Sequence, residues 1–200
     1  MKRVTPAIGV GLLALVLSGC ALLGAGSSSE PLDTYELSAP GEGNGGRRGR
    51  VQILIAEPSA LKSLDGQNIV VEPAPGSVQF LKGAQWVDRL PRVVQARLAE
   101  TFQHSGEFGG VGKPGEGLAI DYQIITDIRA FQISVAGGDE ARIELFVRIL
   151  NDRNGTVRAE RTFRTSSVVS GSDNDAYAAA LDRAFREAAS EIVAWTAGII

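Results

Sequence analysis

The sequence predicts an α/β domain, with a mixed, largely antiparallel sheet packed against two main amphipathic helices and preceded by a flexible tether. Three observations carry this. Residues 118–133, 141–150 and 157–169 read as three long strands in succession, joined at one point by Asn154-Gly155, the chain's best hairpin turn. Two stretches, near 88–104 and 174–197, repeat apolar residues at helical spacing. Short apolar runs between 50 and 81 supply further strands, giving about six in all.

Tyr35 to Leu37 is read as the start of a first strand, and residues 38–49 as a Gly-rich loop. Arg50 to Ala56 is β-branched and apolar, and reads as a buried strand ended by Glu57-Pro58. Ala60 to Leu64 is expected to form one helical turn, Asn68 to Glu72 a strand, and Val78 to Leu81 a short strand.

The first helix is expected from Asp88, as N-cap, to His104. Pro91 is tolerated because its missing N–H falls in the first turn. Leu90, Val94, Leu98 and Phe102 recur every four residues and form one apolar face. Ser105-Gly106 stops the helix, and residues 106–117 read as a mobile loop. The strand at 118–133 is expected to be irregular near Ile124-Ile125. Along 141–150, Ile143, Leu145, Val147 and Ile149 alternate with Arg142, Glu144 and Arg148. Ser170 to Asp175 is a polar loop that caps the final helix, Asn174 to Ala197.

The N-terminus is a different kind of segment. Lys2 and Arg3 precede an apolar run from Val4 to Leu17, too short to span a bilayer as a stable helix and of signal-peptide length. Leu17-Ser18-Gly19-Cys20 follows, and it resembles the lipobox of bacterial lipoproteins. The resemblance implies cleavage between Gly19 and Cys20 and lipidation of the Cys20 thiol. Cys20 is the only cysteine, so no intramolecular disulfide is available. An ordinary secretory signal is the alternative. The organisation expected is a signal at 1–19, a lipidated flexible tether at 20–31 and one domain at 32–200. Two or more acyl chains anchor a protein stably. Ala21 after the cysteine favours the periplasmic face of the outer membrane, by resemblance to sorting rules in enteric bacteria.

The formal net charge is −3, which argues against nucleic acid as the main partner. Arg47, Arg48 and Arg50 form the one dense basic cluster; they are candidates for contact with a partner or with lipid headgroups, against the plainer account of a solvated loop. Gly41 to Gly46 matches G-x-G-x-x-G, but a strand rather than a helix follows it, so no dinucleotide site is expected. Gly112-Lys113-Pro114 lacks the Ser or Thr of a phosphate loop. His104 is the only histidine and sits at a helix end, where its charge suits the dipole. Asp121 and Asp127 read as a solvated sheet face rather than a catalytic pair, and Trp86 and Trp195 as core residues rather than partner anchors. No catalytic residue, metal site or cofactor is expected.

YELSAP at 35–40, RVQILIAEPSALKSLDGQNIVV at 50–71, QWVDRLPRVVQARLAETF at 85–102, IDYQIITDIRAFQI at 120–133, GTVRAERTFRTSSVVSG at 155–171 and ALDRAFREAASEIVAW at 180–195 together carry a further resemblance. In their order along the chain they resemble the ABC-type transport auxiliary lipoprotein family. The resemblance implies a non-enzymatic, lipid-anchored accessory subunit of an envelope lipid-transport system. The implied partners are an MCE-domain protein and an inner-membrane ABC transporter. Family members can self-associate, so a homo-oligomer is a further expectation. Two rival functions stand beside this: an envelope scaffold or cell-wall synthase-activating lipoprotein, and an envelope hydrolase.

Overall fold

A computed structural model describes residues 31–41 and 50–200. The expected signal, Gly19, Cys20, most of the tether, Arg47 and Arg48 lie outside the described residues. The elements run β1 (Asp33–Tyr35), β2 (Gln52–Ile55), β3 (Ser59–Ala60), β4 (Asn68–Glu72), β5 (Gln79–Trp86), α1 (Leu90–Ser105), β6 (Gly110–Gly112), β7 (Tyr122–Ser134), β8 (Glu140–Asn151), β9 (Thr156–Val168) and α2 (Asn174–Ala197). The nine described strands form one mixed sheet.

β7 is its axis. One edge pairs antiparallel with β8, which pairs antiparallel with β9, so the three long strands form the expected meander. The other edge is shared, in series, by β2, β3 and β4, all parallel to β7. β6 lies parallel beside β2; β5 lies antiparallel beside β4 and carries β1 at its outer edge. The long pairings are therefore antiparallel and the short ones mostly parallel.

Alternation then decides what is buried. Ile124, Ile128, Phe131, Ile143, Leu145, Val147, Ile149 and Phe163 are closed off from solvent. α2 covers them with Leu181, Phe185 and Ile192 and with Ala180, Ala184 and Ala188, whose small side chains let the helix approach closely. Phe131 ties the layers together: its ring lies 5.7 Å edge-on from Trp86 and 6.3 Å from Phe185. α1 packs beside α2 and β2 through Leu90, Val94, Leu98 and Phe102, the predicted stripe. Behind β1, the Tyr35 hydroxyl donates to Asp175 at 2.7 Å, and the Ser38 N–H and hydroxyl both donate to Asp182. The segment after Leu32 is thus strapped along α2.

Several expectations need correction. α1 begins at Leu90 with Arg89 in the cap position, and no side chain caps it. Asp88 accepts only from the adjacent Arg89 N–H, one residue too early to serve the helix. The irregularity in β7 falls at Arg129, where the register to β8 slips between Ile128 and Ala130, and not at Ile124-Ile125. Residues 106–117 contain β6, held against β2. The 78–81 strand extends to Trp86. The turn at 60–64 starts at Leu61, whose carbonyl accepts from Leu64 and Asp65, after the short strand β3. The α2 boundaries agree with the prediction, and Asp173 caps it by accepting the Ala176 N–H at 2.8 Å.

Candidate partner-binding surface

α2 lies on one face of the meander, and its other face carries the alternate residues of β7, β8 and β9. Across the strands these form rows: Gln132, Arg142 and Ser166; Ala130, Glu144 and Arg164; Asp127, Phe146 and Thr162. Arg164 Nε donates to Glu144 at 2.9 Å, and Arg129 reaches the other Glu144 oxygen at 3.8 Å and Asp127 at 3.5 Å. Arg142 Nε meets Glu140 at 2.8 Å. Arg142, and then Ser166, hold the Glu140 carboxyl below its ordinary range. The Arg129 guanidinium covers the Phe146 ring at 4.2 Å. A shallow groove of about 350 Å³ runs over this face, lined by Glu72, Gln132, Arg142, Glu144, Arg164 and Ser166 among others.

Exposed ion pairs of this kind contribute roughly 0–1 kcal/mol each to stability. A surface of alternating charge with an aromatic ring among the charges is the kind that can discriminate between partners by charge complementarity.

A second polar constellation sits at the start of β7. Asp121 accepts the Gln52 N–H at 3.0 Å and Arg153 Nη2 at 2.6 Å. The Gln52 bond first, and then Arg153, hold its carboxyl below the ordinary value. Arg50 and Arg153 flank it in a shallow cleft that Val51, Tyr122 and Asn151 complete. Gly109 backs Arg50 so closely that a Cβ there would meet the Arg50 carbonyl carbon at 2.9 Å. Arg50, the described member of the predicted cluster, is therefore seated on a built platform. Arg153 was not singled out by the sequence, because it sits in the β8–β9 turn, 103 residues later, with no pattern linking it to Arg50.

The remaining candidates disperse. Asp121 is bound as above, while Asp127 accepts from Ser59 at 3.2 Å and faces Arg129. They are separate polar positions. His104 Nδ1 lies 3.2 Å from the Pro40 carbonyl and Nε2 3.9 Å from Glu100. Trp86 is fully buried, and Trp195 packs edge-on against Phe163 at 5.5 Å. Among the described residues no group of three or more His, Cys, Asp or Glu side chains is placed to hold a metal ion, and no helix is long and apolar enough to cross a membrane.

A similar fold occurs in a solved protein of Xanthomonas campestris, 28% identical, with a TM-score of 0.75, covering 83% of this chain and 95% of that one. A hypothetical protein of Chlamydia trachomatis, 9% identical with a TM-score of 0.56, shares the fold over 76% of this chain and 98% of its own. An uncharacterized protein of Bradyrhizobium diazoefficiens is 32% identical over 185 residues, 90% of this chain; the chain spans about half of that relative's length, 49%. The model of the ABC-type transport auxiliary lipoprotein component matches residues 35–193, from β1 into α2. That match takes in β2 to β9 and α1 whole and most of α2, and the chain belongs to this family of envelope lipoproteins with an accessory role in transport.

Proposed function

We propose that this protein is a lipid-anchored periplasmic accessory subunit that holds an MCE-type lipid-transport assembly to the outer membrane by protein–protein binding, without catalysis or a cofactor. The anchor is the acylated Cys20, released from the signal by cleavage after Gly19. The partner is an MCE-domain protein fed by an inner-membrane ABC transporter, which performs the ATP hydrolysis.

The observation that carries the binding role is the uncovered face of β7, β8 and β9. Several of its charges are paired with one another, its groove is shallow, and Phe146 stands among them. Such a surface suits a protein partner better than an acyl chain, which needs an enclosed apolar site. The Arg50 and Arg153 platform supports the same reading. The chain enters the domain at Leu32, where Asp33 meets Asn174 at the start of α2 and Ala84 on β5. Tyr177 links that start to Asp139 beside the end of β7. Arg50 lies at the start of β7, about 40 Å away at 3.3 Å per residue. The cation platform thus lies at the far end of β7 from the point where the chain enters the domain.

The test is photo-crosslinking from position 146 in intact envelopes, followed by mass spectrometry. Capture of an MCE-domain protein or a transporter component is the expected result. Capture of a cell-wall synthase instead would replace this reading by the rival one, and intact lipoprotein with no transport partner would end it.

A further inference from the structure

We propose that one end of the sheet is a membrane-contact rim, whose loops rest in the headgroup layer of a lipid bilayer. The contact presupposes the acylated Cys20 of the proposed function. Val71 faces Gln79 across β4 and β5, which sets Val78 level with Glu72. The same row continues through Ser134 of β7 and Glu140 of β8 to Val168 of β9. Three connections lie beyond it, between β4 and β5, β7 and β8, and β9 and α2. Residues 73–81, 135–138 and 166–172 contain no charged side chain. Val78, Phe80 and Val168 are each at least half exposed, as is Leu32. At the opposite end of the sheet stand Arg50, Asp121, Asp152 and Arg153. Single exposed apolar side chains are ordinary, but a row of them among uncharged loops marks a contact surface.

The backbone of the rim suits a poorly hydrated setting, where an unpaired N–H or C=O is costly. Pro73 and Pro75 have no N–H to satisfy. The Gly76 N–H donates to Glu72 at 3.3 Å, and the Ser77 N–H donates to the Ala74 carbonyl at 2.9 Å. Beside β9, the Val168 carbonyl accepts from Arg183 at 3.0 Å, and the Val169 N–H donates to the Asp139 carbonyl at 2.9 Å. The acids at the base of the loops are engaged as well. Glu72 accepts from Gln132, Asp139 from the Tyr177 hydroxyl, and Asp173 from the Ala176 N–H.

Chain direction and tether length identify what covers the rim. β1 runs parallel to β5, and β5 starts at the rim, so the chain reaches Asp33 from the rim side. Residues 21–31 separate Cys20 from Leu32. Twelve peptide steps span at most about 40 Å, so reach alone lets the rim meet the bilayer that holds the anchor. Val157, at the other end of β9, lies roughly 36 Å from Val168 along the strand. The loops offer a protein no charge to complement, whereas uncharged apolar side chains suit the boundary between headgroups and acyl chains. The depth is limited to about 5–10 Å, because irregular backbone does not enter the hydrocarbon itself. The occupant is therefore a lipid surface, held by apolar contact rather than by charge.

The experiment uses the full-length chain in vesicles of phosphatidylcholine, after its intact mass has been measured for the lipid on Cys20. V78C, V168C and V157C each introduce one free thiol, which carries an environment-sensitive fluorophore. Part of the lipid bears a nitroxide quencher high on its acyl chain. The expected result is quenching several-fold stronger at positions 78 and 168 than at 157, and unchanged when salt is raised. Adding V78D and F80D to the V168C chain should lower the quenching at 168 several-fold, with thermal unfolding showing that the domain remains folded. Equal quenching at 78 and 157 would overturn the proposal. So would quenching at 78 that salt abolishes, or a blue shift there without quenching, which would mean a protein covers the rim. The two readings fail separately. An unmodified Cys20 would overturn anchor and rim together, whereas an acylated chain with three equally quenched labels would overturn the rim alone.

Discussion

Thr165, on β9, donates its hydroxyl to the backbone carbonyl of Ala184 in the middle of α2, at 2.8 Å and out of reach of solvent. It is a polar stitch through the apolar layer between sheet and helix. In the same sheet, Thr126 on β7 is 1% exposed and its hydroxyl has no partner. Two buried threonines in one sheet should respond in opposite directions to the same replacement. Thr165→Val should cost about 1 kcal/mol, the usual net worth of a buried hydrogen bond. Thr126→Val should be neutral or stabilise by up to about 1 kcal/mol, because an unpaired buried hydroxyl is replaced by a methyl of similar size. Chemical denaturation of the two variants checks both signs; a loss at Thr126 as large as at Thr165 would mean that its hydroxyl is satisfied.

The two helix starts give a second contrast. Asp173 caps α2 through the Ala176 N–H, whereas Asp88 accepts a hydrogen bond only from its neighbour Arg89 and otherwise makes an exposed ion pair with Arg92 at 3.7 Å. Asp173→Ala should lower stability by about 1 kcal/mol, and Asp88→Ala should stay within about 0.5 kcal/mol of the parent. Thermal unfolding distinguishes them, and equal losses would restore Asp88 as a cap.

Gly109 links local geometry to the proposed binding role. A methyl there would press on the Arg50 backbone at 2.9 Å, and neither side of that contact is a flexible side chain. Gly109→Ala should therefore shift the Arg50 backbone and loosen the β2–β6 pairing, costing roughly 1–3 kcal/mol as overpacking does. Crosslinking from position 50 should weaken in this variant more than crosslinking from position 146. A uniform loss at both positions would mean a global defect rather than a displaced platform.

Long periodic elements were legible in the sequence, and for a physical reason. The alternation along 141–150 and the four-residue repeat of Leu90, Val94, Leu98 and Phe102 each record a single buried face, and both faces are where they were expected. The short parallel strands were harder. β3 and β6 have two and three residues and exist because they lie along β7 and β2, a tertiary fact with no local signature. The cap at Asp88 failed by one residue: Arg89 stands in the cap position and Leu90 opens the helix. In the candidate surface, the polar face of β8 was visible in Arg142, Glu144 and Arg148. What Glu144 binds was not, since Arg129 enters through the β7 bulge and Arg164 from the following strand.

The Asp121 carboxylate makes the acid side of the stability profile informative. Its pKa is held below the ordinary 3.8 by the Gln52 N–H first and Arg153 second. On acidification the unfolded chain therefore takes up this proton before the folded one does. The stabilisation is fully present above about pH 4 and is lost as pH falls through the lower folded value. Asp121→Asn removes the titration but keeps the shape. The parent should exceed this variant by about 1–2 kcal/mol at pH 6, the scale of hydrogen bonds to a charged group that remains partly exposed. The gap should then close steadily below pH 4. Urea unfolding of both proteins from pH 6 to pH 2 measures it directly. A gap that stays constant over that range would show that Asp121 carries no proton-linked stability, and that Arg153 reaches toward solvent rather than toward β2.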